Sequence, residues 1–305
     1  MSEPQAALEK LIAGFRRRRP LRAGSLIVTA FGDMIAPRGG AVLLADLAPL
    51  LEKFGINDSQ ARTALSRLVG DGWLASQRLG RRSLYRLTRI GSHRFAEATR
   101  RIYFGAPRAW DGSWCVALLA PVADKARPAL RRDLHWLGFG ALTPETLIHP
   151  RPDRVSLASV IADLPVAARP LLVEGADLGR PSDSRLRAMA RQCWDLDSLE
   201  RFYAGFVRQF GPLERALTRG PLPAPLDGAL ARILLIHEYR RIILRDPLLP
   251  ATLIDAGWSG AIAHALARDI YRRVAPAGER WIDGHLHDAR GPLPAPDAAF
   301  HSRFK

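Results

Sequence analysis

The sequence predicts an α+β multidomain protein that contains, in chain order, a winged helix-turn-helix, a small α/β domain and a mainly α-helical region. Three observations predict this fold class. Residues 1 to 104 combine short helix and strand patterns with 18 Lys or Arg against 8 Asp or Glu. The next stretch alternates apolar strand and helix patterns with short loops, and after about residue 181 the apolar residues recur at helical spacing. A chain of 305 residues has room for two or three such domains.

The composition is that of an ordinary soluble protein, with 48% hydrophobic residues, 25% charged residues and a net charge of +15. No apolar run reaches the roughly 18 residues that a membrane helix needs, and the start lacks the pattern of a secretory signal, so we expect a cytoplasmic protein. Cys115 and Cys193 lie far apart and match no disulfide framework or metal-binding spacing. They are predicted to be buried thiols.

Residues 1 to 23 are predicted to form a basic N-terminal arm. A short helical pattern around Leu8, Leu11 and Ile12 runs into four consecutive arginines, 16 to 19. Runs of like charge are usually solvated, so we expect this arm to be mobile, and its contact with DNA stays open. Arginine outnumbers lysine throughout the chain, and a guanidinium suits bidentate contact with phosphate or carboxylate.

The next 80 residues have the element order of a winged helix-turn-helix, and the domain is predicted to span 24–104 with a linker helix at its end. Gly39 and Gly40 end the first helix, Gly55 marks a tight turn, and Gly70 and Gly72 end the third helix. Thr88 can cap the linker helix. The predicted elements are a helix at 24–35, a strand at 41–43, a helix at 46–54, a helix from about 58 to 69, strands at 73–78 and 84–88, and the linker helix at 89–103.

The third helix has an apolar face and a polar face, and this division predicts a DNA-binding role. Ala61, Leu65, Leu68 and Val69 fall on one side at helical offsets. Short hydroxyls and guanidinium groups on the other side suit the edges of bases in a major groove, while a basic loop in the following hairpin would hold phosphates or a minor groove. The predicted DNA-binding residues are Ser59, Arg62, Thr63, Ser66 and Arg67 on the helix, and Arg78, Arg81 and Arg82 on the hairpin.

The rest of the chain divides into a linker, an α/β domain, a helical domain and a tail. A Gly- and Pro-rich stretch at 105–112 predicts the linker. The predicted α/β domain is 113–180, the helical effector or regulatory domain 181–288 and the flexible tail 289–305. The α/β domain is expected to contain strands at 114–122, 147–149 and 170–174 and helices at 125–137 and 156–164, and the helical domain to carry its most apolar helix at 230–244.

Several N-terminal motifs together resemble the phenylacetic acid catabolism repressor (PaaX) family. They are Ser25-Leu-Ile-Val-Thr-Ala-Phe-Gly-Asp33, Phe54-Gly-Ile-Asn57, Arg62-Thr63 with Leu68, Gly72-Trp73-Leu74 and Gly80-Arg-Arg-Ser-Leu-Tyr-Arg-Leu-Thr88. The resemblance returns in Asp246-Pro-Leu-Leu-Pro250, Gly257-Trp-Ser-Gly260 and 266–271, so it spans nearly the whole chain.

The resemblance implies a transcriptional repressor with a ferredoxin-like middle domain, a homodimer on double-stranded operator DNA, and release by an aryl-acyl coenzyme A thioester. Related small CRISPR-associated nucleases use an acidic residue at the end of the first strand of such a domain. Here that end is Leu118-Leu-Ala-Pro121, without a carboxylate, which favours a packing or dimerising module. The implied function is therefore regulation of a catabolic operon, without catalysis and without a cofactor.

An effector of this class needs an apolar cavity and cations for its phosphates. The predicted effector-binding residues are His237, Arg240, Arg241, Arg245 and Trp258, which lie within some twenty residues of one another. The alternative is that the arginines neutralise a helix dipole and that the tryptophan and the histidine belong to the core. Both interpretations stay open from the sequence.

Two other functional classes stay open as well: an acyl-thioester enzyme with an accessory nucleic-acid-binding module, and a nonspecific nucleic-acid-binding protein. Gly257-Trp-Ser-Gly-Ala261 falls one residue short of a hydrolase motif, so Ser259 is predicted to cap a helix. His285 and His287 could bind a metal, but they lie in a polar, Pro-rich segment and are predicted to face solvent. No catalytic or metal-binding residue is therefore predicted.

Overall fold

The computed structural model describes residues 2–105, 110–120, 122–176, 178–179 and 182–305. Residues 106–109 of the predicted linker at 105–112, and Pro121 in the predicted strand, lie outside the described residues. The chain divides into two compact units. The first comprises Met1–Phe104, Ala204–Leu244 and Ala261–Lys305, and the second comprises Gly105–Tyr203 and Arg245–Gly260.

The N-terminal part of the first unit contains a short antiparallel sheet and five helices. The sheet has the strand order β1-β3-β2, with β1 paired to β3 from Ala41 opposite Arg86 to Leu43 opposite Leu84. The elements are α1 (Glu3–Arg16), α2 (Ala23–Ala30), a π-helical turn at Phe31–Ile35, β1 (Ala41–Leu43), α3 (Leu44–Lys53), α4 (Asp58–Gly70), β2 (Leu74–Leu79), β3 (Arg82–Leu87) and α5 (Arg89–Phe104).

These elements form where the sequence places their caps and apolar faces. The Thr88 hydroxyl accepts a hydrogen bond from the Gly91 N–H at 2.9 Å and so caps α5, as predicted. The apolar faces of α2 and α3 are buried, with Leu26, Ile27, Leu50 and Leu51 at most 1% exposed. The elements predicted between residues 24 and 104 therefore agree with the structure to within a few residues.

The second unit contains a four-stranded antiparallel sheet and helices on its apolar side. The chain follows the order strand, helix, strand, strand, helix, strand, and the strands lie side by side in the order β5-β6-β4-β7. The core includes Ala117, Leu134 and Phe139. The elements are β4 (Ser113–Leu118), α6 (Arg127–Trp136), β5 (Gly140–Thr143), β6 (Thr146–His149), α7 (Arg154–Ala162), β7 (Leu171–Ala176) and α8 (Asp183–Cys193).

The sequence did not predict β5. Gly140 begins this strand and lies against the indole ring of Trp194, where a Cβ would have no room. The Trp194 indole N–H donates to the Gly138 carbonyl at 2.9 Å. A strand of four residues with a glycine under a tryptophan leaves little periodic signal, which explains why it was missed.

Three long helices complete the chain. They are α9 (Leu196–Arg219), α10 (Pro225–Ile243) and α11 (Ser259–His285). Within α9, Leu199, Tyr203, Phe206 and Phe210 are buried, but Phe202 is 50% exposed and lies outside the core. The helix also continues through Pro212, because a proline lacks only one N–H donor and the flanking turns stay packed. None of the described helices combines the length and the apolar character that crossing a bilayer requires.

The prediction of a mobile N-terminal arm is wrong for most of its length. Glu3–Arg16 is a helix whose Leu8, Leu11, Ile12 and Phe15 side chains are buried. The prediction rested on the arginine run. The four buried apolar residues, however, have the spacing of a packed amphipathic helix.

The prediction of a flexible tail at 289–305 is also wrong. Leu293 and Phe304 are 5% and 1% exposed, and the Arg303 guanidinium is buried against Asp33. The Phe304 ring contacts those of Tyr103 and Tyr271, each at a centroid distance of 5.3 Å. Isolated aromatic and basic residues in a Pro-rich segment give no periodic pattern, so the sequence could not reveal this packing.

Candidate nucleic-acid interface

The helix α4 begins at a well-formed capping box. The Asn57 side chain accepts from the Gln60 N–H at 2.9 Å, and the Gln60 side chain accepts from the Asn57 N–H at 3.0 Å. This reciprocal arrangement satisfies two amides that would otherwise lack partners at the helix start. Gly55, with φ of +78°, makes the turn between α3 and α4 that a side chain would strain. The start of α4 is thus fixed by its own sequence.

The two faces of α4 differ as the sequence predicted. Ala61 and Leu65 are buried, and α4 packs on α2 through this face. The opposite face is exposed, so the predicted recognition side chains are accessible to a large ligand. The exposed residues are Ser59, Arg62, Thr63, Ser66 and Arg67.

Only some of these polar side chains have partners on the helix. Arg62 donates to Asp58 at 2.7 Å, and this hydrogen bond raises the pKa of Arg62. The Thr63 hydroxyl donates to the Ser59 carbonyl at 2.9 Å. Within the described part of the chain, no carboxylate lies within 4 Å of the Arg67 guanidinium. Arg67 is therefore the helix cation most available to a partner.

The hairpin β2–β3 carries a second group of exposed cations. Gly80, with φ of +59°, and Arg81 form its turn, with Leu79 opposite Arg82 in the ladder. Arg78 donates to the Gly80 carbonyl at 3.1 Å, which holds its stem along the turn. Arg78, Arg81 and Arg82 are all exposed, so the three predicted phosphate contacts lie around one tight turn.

Two further polar residues on this hairpin were not predicted. Arg86 donates to the Gln77 side chain at 3.1 Å across the two strands, and both residues are exposed. They extend the polar surface from the turn toward the body of the hairpin. Both residues are polar positions of the predicted strands, whereas the predicted DNA contacts were limited to the arginines in and beside the loop.

The predicted effector-binding residues fall into both compact units. His237, Arg240 and Arg241 lie on α10 in the first unit, while Arg245 and Trp258 lie in the second. The structure therefore does not assemble all five within one unit.

His237 and Arg240 form hydrogen bonds with residues of α2. Arg240 donates to the Ser25 carbonyl and hydroxyl, each at 2.7 Å, and to the Thr29 hydroxyl at 2.8 Å. Thr29 also lies 3.2 Å from the Nδ1 atom of His237. Burial, together with the nearby arginines 240, 241 and 18, lowers the pKa of His237 to about 3, and burial lowers that of Arg240 to about 10. A ligand at these two side chains would have to replace hydrogen bonds that hold α10 against α2.

Trp258 lines a cavity of about 130 Å³ in the second unit. Its indole ring meets the Tyr203 ring edge-on at 5.9 Å. Arg191 in the same cavity is paired with Asp197 at 2.7 Å and also with Asp255. Arg245 is exposed. The cavity thus offers an aromatic wall, with guanidinium groups that already have acidic partners.

A buried polar cluster joins the π-helical turn after α2 to distant parts of the first unit. The Asp33 carboxylate accepts from Tyr103 at 2.5 Å, from Arg232 at 2.5 Å, from Tyr271 at 3.0 Å and from Arg303 at 3.1 Å. Arg232 and Arg303 also donate to the Asp33 carbonyl, each at 2.8 Å. Burial raises the pKa of Tyr271 to about 12. We call Asp33, Tyr103, Arg232, Tyr271 and Arg303 the Asp33 cluster.

The remaining sequence predictions concern serine, histidine and cysteine residues. Ser259, which is predicted to cap a helix, is the first residue of α11, and its N–H and hydroxyl both donate to Glu200, at 3.0 and 2.5 Å. Both cysteines are buried, as predicted, and burial raises the pKa of Cys115 to about 11.

The prediction that both histidines near the end of α11 face solvent is only partly correct. His285 is exposed but stacks on Trp281 at 5.0 Å, whereas His287 is partly buried with its Nδ1 atom 2.9 Å from Asp46. Among the residues that the structure describes, no three His, Cys, Asp or Glu side chains form a group that could hold a metal ion.

Comparison with known proteins finds matches to one protein family over most of the chain. Three family models match it: PaaX-like protein over residues 22–91, PaaX protein central Cas2-like domain over 107–186, and PaaX-like protein C-terminal domain over 194–284. The transcriptional repressor PaaX of Escherichia coli (strain K12) is 37% identical over 287 residues, which are 93% of this chain and 90% of that protein.

A solved structure of an uncharacterized protein from Mycobacterium tuberculosis is similar in fold. Its TM-score is 0.51 at 24% sequence identity, over 78% of this chain and 90% of that one. At this level of identity the similarity concerns the fold alone.

Proposed function

Because the chain belongs to the PaaX family of transcriptional repressors, we propose that α4 and the β2–β3 hairpin form the recognition helix and wing of a winged helix-turn-helix that binds operator DNA. As a member of this family the chain is a DNA-binding transcriptional regulator. The proposed biological role is repression of a catabolic operon.

The observation that carries this proposal is the contrast between the two faces of α4. Its apolar face is fixed on α2, while its hydroxyl and guanidinium groups are exposed beside a hairpin with three further exposed arginines. Arg can pair bidentately with guanine, and Ser or Thr can serve either a base or a phosphate. Arg67, without an acidic partner in the described chain, is assigned to a base edge, and Arg78, Arg81 and Arg82 are assigned to phosphates.

The proposal includes a homodimer and a small-molecule effector. Two recognition helices about one DNA turn apart would read a two-fold symmetric operator. The β-rich part of the second unit, matched by the central Cas2-like model, is proposed to help set their spacing. The effector is proposed to be an aryl-acyl coenzyme A thioester that favours a conformer with weaker operator affinity.

The recognition helix can be tested by changing Arg67→Ala and Arg62→Ala separately. Each variant is expected to lose about 1–3 kcal/mol of discrimination between the operator and a duplex with one substituted guanine, because a bidentate contact with a base is removed. Competition binding at fixed salt measures this difference. Arg67→Ala is expected to have the larger effect, since Arg62 must first leave Asp58.

A matched control is Arg132→Ala, which removes an exposed arginine of α6. It is expected to leave the discrimination unchanged. If both recognition-helix variants keep the full discrimination of the unmodified chain, the assignment of α4 to the major groove is wrong.

A further inference from the structure

We propose that Arg16, Arg17 and Arg22, where α1 ends and α2 begins, form a second DNA-contact surface that binds backbone phosphates beside the start of α4. This inference rests on the proposed DNA-binding function and adds a contact outside the recognition helix and the hairpin. The partner chemistry is the phosphodiester backbone of the same duplex.

The end of α1 is held firmly against the turn between α3 and α4. Phe15, 3% exposed, meets the Phe54 ring edge-on at 5.5 Å and the His237 ring edge-on at 5.5 Å. Phe54 follows the last residue of α3 and directly precedes Gly55, and α4 begins at Asp58, so Phe15 contacts the segment that joins these two helices. The arginines that follow Phe15 are therefore presented from a packed helix rather than from a mobile arm.

Arg16 itself lies along this turn. A Cβ atom on Gly55 would be 3.3 Å from the Nε atom of Arg16 and 3.5 Å from its Cγ atom. Gly55 lies two residues before Asn57, the residue that caps α4. The Arg16 guanidinium is thus a close neighbour of the loop that leads into the recognition helix.

The arginines of this segment divide into two kinds. Arg18 donates to Glu238 on α10 at 2.6 Å, and Arg19 donates to the carbonyls of Arg16 and Arg18 at 2.7 and 3.0 Å. Both therefore have structural partners. Arg16, Arg17 and Arg22 are exposed, and no carboxylate of the described chain lies within 4 Å of their guanidinium groups.

Three uncompensated guanidinium groups in seven residues repel one another and attract a polyanion. In helix-turn-helix proteins the N-terminal residues of the recognition helix reach base edges, so the strands that border the groove pass close to that end of the helix. Arg16, held beside this end, would meet phosphates without reading bases, and Arg17 and Arg22 follow it one and six residues further along the chain. The position next to α4 favours DNA over another anionic surface.

The test is the salt dependence of operator binding by the triple variant Arg16→Gln, Arg17→Gln and Arg22→Gln. Loss of three phosphate contacts is expected to reduce the slope of log K against log salt by about 2.7, at about 0.9 for each contact. The ratio of affinities for the operator and an unrelated duplex is expected to stay within about two-fold, because phosphates carry no sequence information. Glutamine keeps the helical preference of α1, and thermal unfolding verifies that the variant is folded.

The control variant Arg208→Gln, Arg215→Gln and Arg219→Gln removes the same charge from exposed positions on α9. It is expected to keep the slope of the unmodified chain. An unchanged slope in the first variant, or an equal reduction in the control, would overturn the inference. So would loss of binding to phosphatidylserine vesicles without any change on DNA, because the arginines would then serve a lipid surface. If the unmodified chain itself bound duplex DNA without salt dependence, the proposed function would fail instead.

Discussion

His237 is a neutral, buried histidine at the contact between α10 and α2. Its pKa is lowered to about 3, first by burial and then by the nearby arginines, while a histidine in the unfolded chain titrates near 6.5. Between these two values the unfolded chain takes up a proton that the folded chain does not. The free energy of unfolding therefore falls as the pH drops below 6.5.

Replacing the imidazole should remove this pH dependence. From pH 7 to pH 5 the unmodified chain is expected to lose about 2 kcal/mol more stability than the variant His237→Gln. Urea unfolding at the two pH values measures the difference. His301→Gln, at an exposed histidine, is the matched control and should lose as much as the unmodified chain. Equal losses in both variants would mean that His237 does not carry the effect.

At the scale of elements, the Asp33 cluster joins the π-helical turn after α2 to α5, α10, α11 and the segment after residue 289. One buried carboxylate accepts from four side-chain donors, two of them arginines, and these partners replace the hydrogen bonds that water would otherwise supply. A cluster of this kind specifies how the elements meet, since each helix must bring its donor to one point.

Removing the central charge should therefore be costly. Asp33→Asn is expected to reduce the free energy of unfolding by about 3–5 kcal/mol, because the buried Arg232 and Arg303 guanidinium groups lose the Asp33 carboxylate and Arg232 keeps only Glu279 as an anion. Asp58→Asn removes the exposed partner of Arg62 and is expected to cost less than about 1 kcal/mol. Chemical denaturation of both variants measures the contrast. A loss at Asp33 as small as that at Asp58 would contradict a stabilising role for the cluster.

The elements around α4 could be predicted from the sequence because their signals are local. Asn57 caps a helix, Gly55 and Gly80 permit turns, and Leu65 lies on a continuous apolar face. The Asp33 cluster could not be predicted in the same way. Its members are single polar residues separated by up to 270 positions, and a lone aspartate gives no periodic pattern.

At the scale of the whole molecule, the predicted domain boundaries differ from the compact units. A separate helical domain was predicted at 181–288. In the structure, Ala204–Leu244 and Ala261–Lys305 share one unit with the first 104 residues. Composition and periodicity indicate which segments are helical but carry no information on which distant helices share a core. The predicted recognition residues lie together on one helix and one hairpin, whereas the predicted effector residues are divided between the units.

The proposed release by an effector belongs to the scale of the whole molecule, and Trp258 offers a test of it. Trp258→Ala is expected to bind the operator normally but to need at least about ten-fold more aryl-acyl coenzyme A thioester for half-release, because an aromatic wall of the cavity is lost. Trp136→Ala, at a tryptophan that is 56% exposed on α6, should respond as the unmodified chain does. Titration of a preformed DNA complex gives both values. An unaltered response in the Trp258 variant would place the ligand elsewhere.

The sequence separation between Asp33 and its partners also affects how the chain folds during translation. A ribosome makes residue 33 early, but it must add another 270 residues before Arg303 can reach that carboxylate. Until Arg303 is synthesised, the N-terminal segment lacks this partner of Asp33, and its interior is incompletely packed. An mRNA that ended before codon 303 would yield a product in which the Asp33 carboxylate lacks one of its two arginine partners.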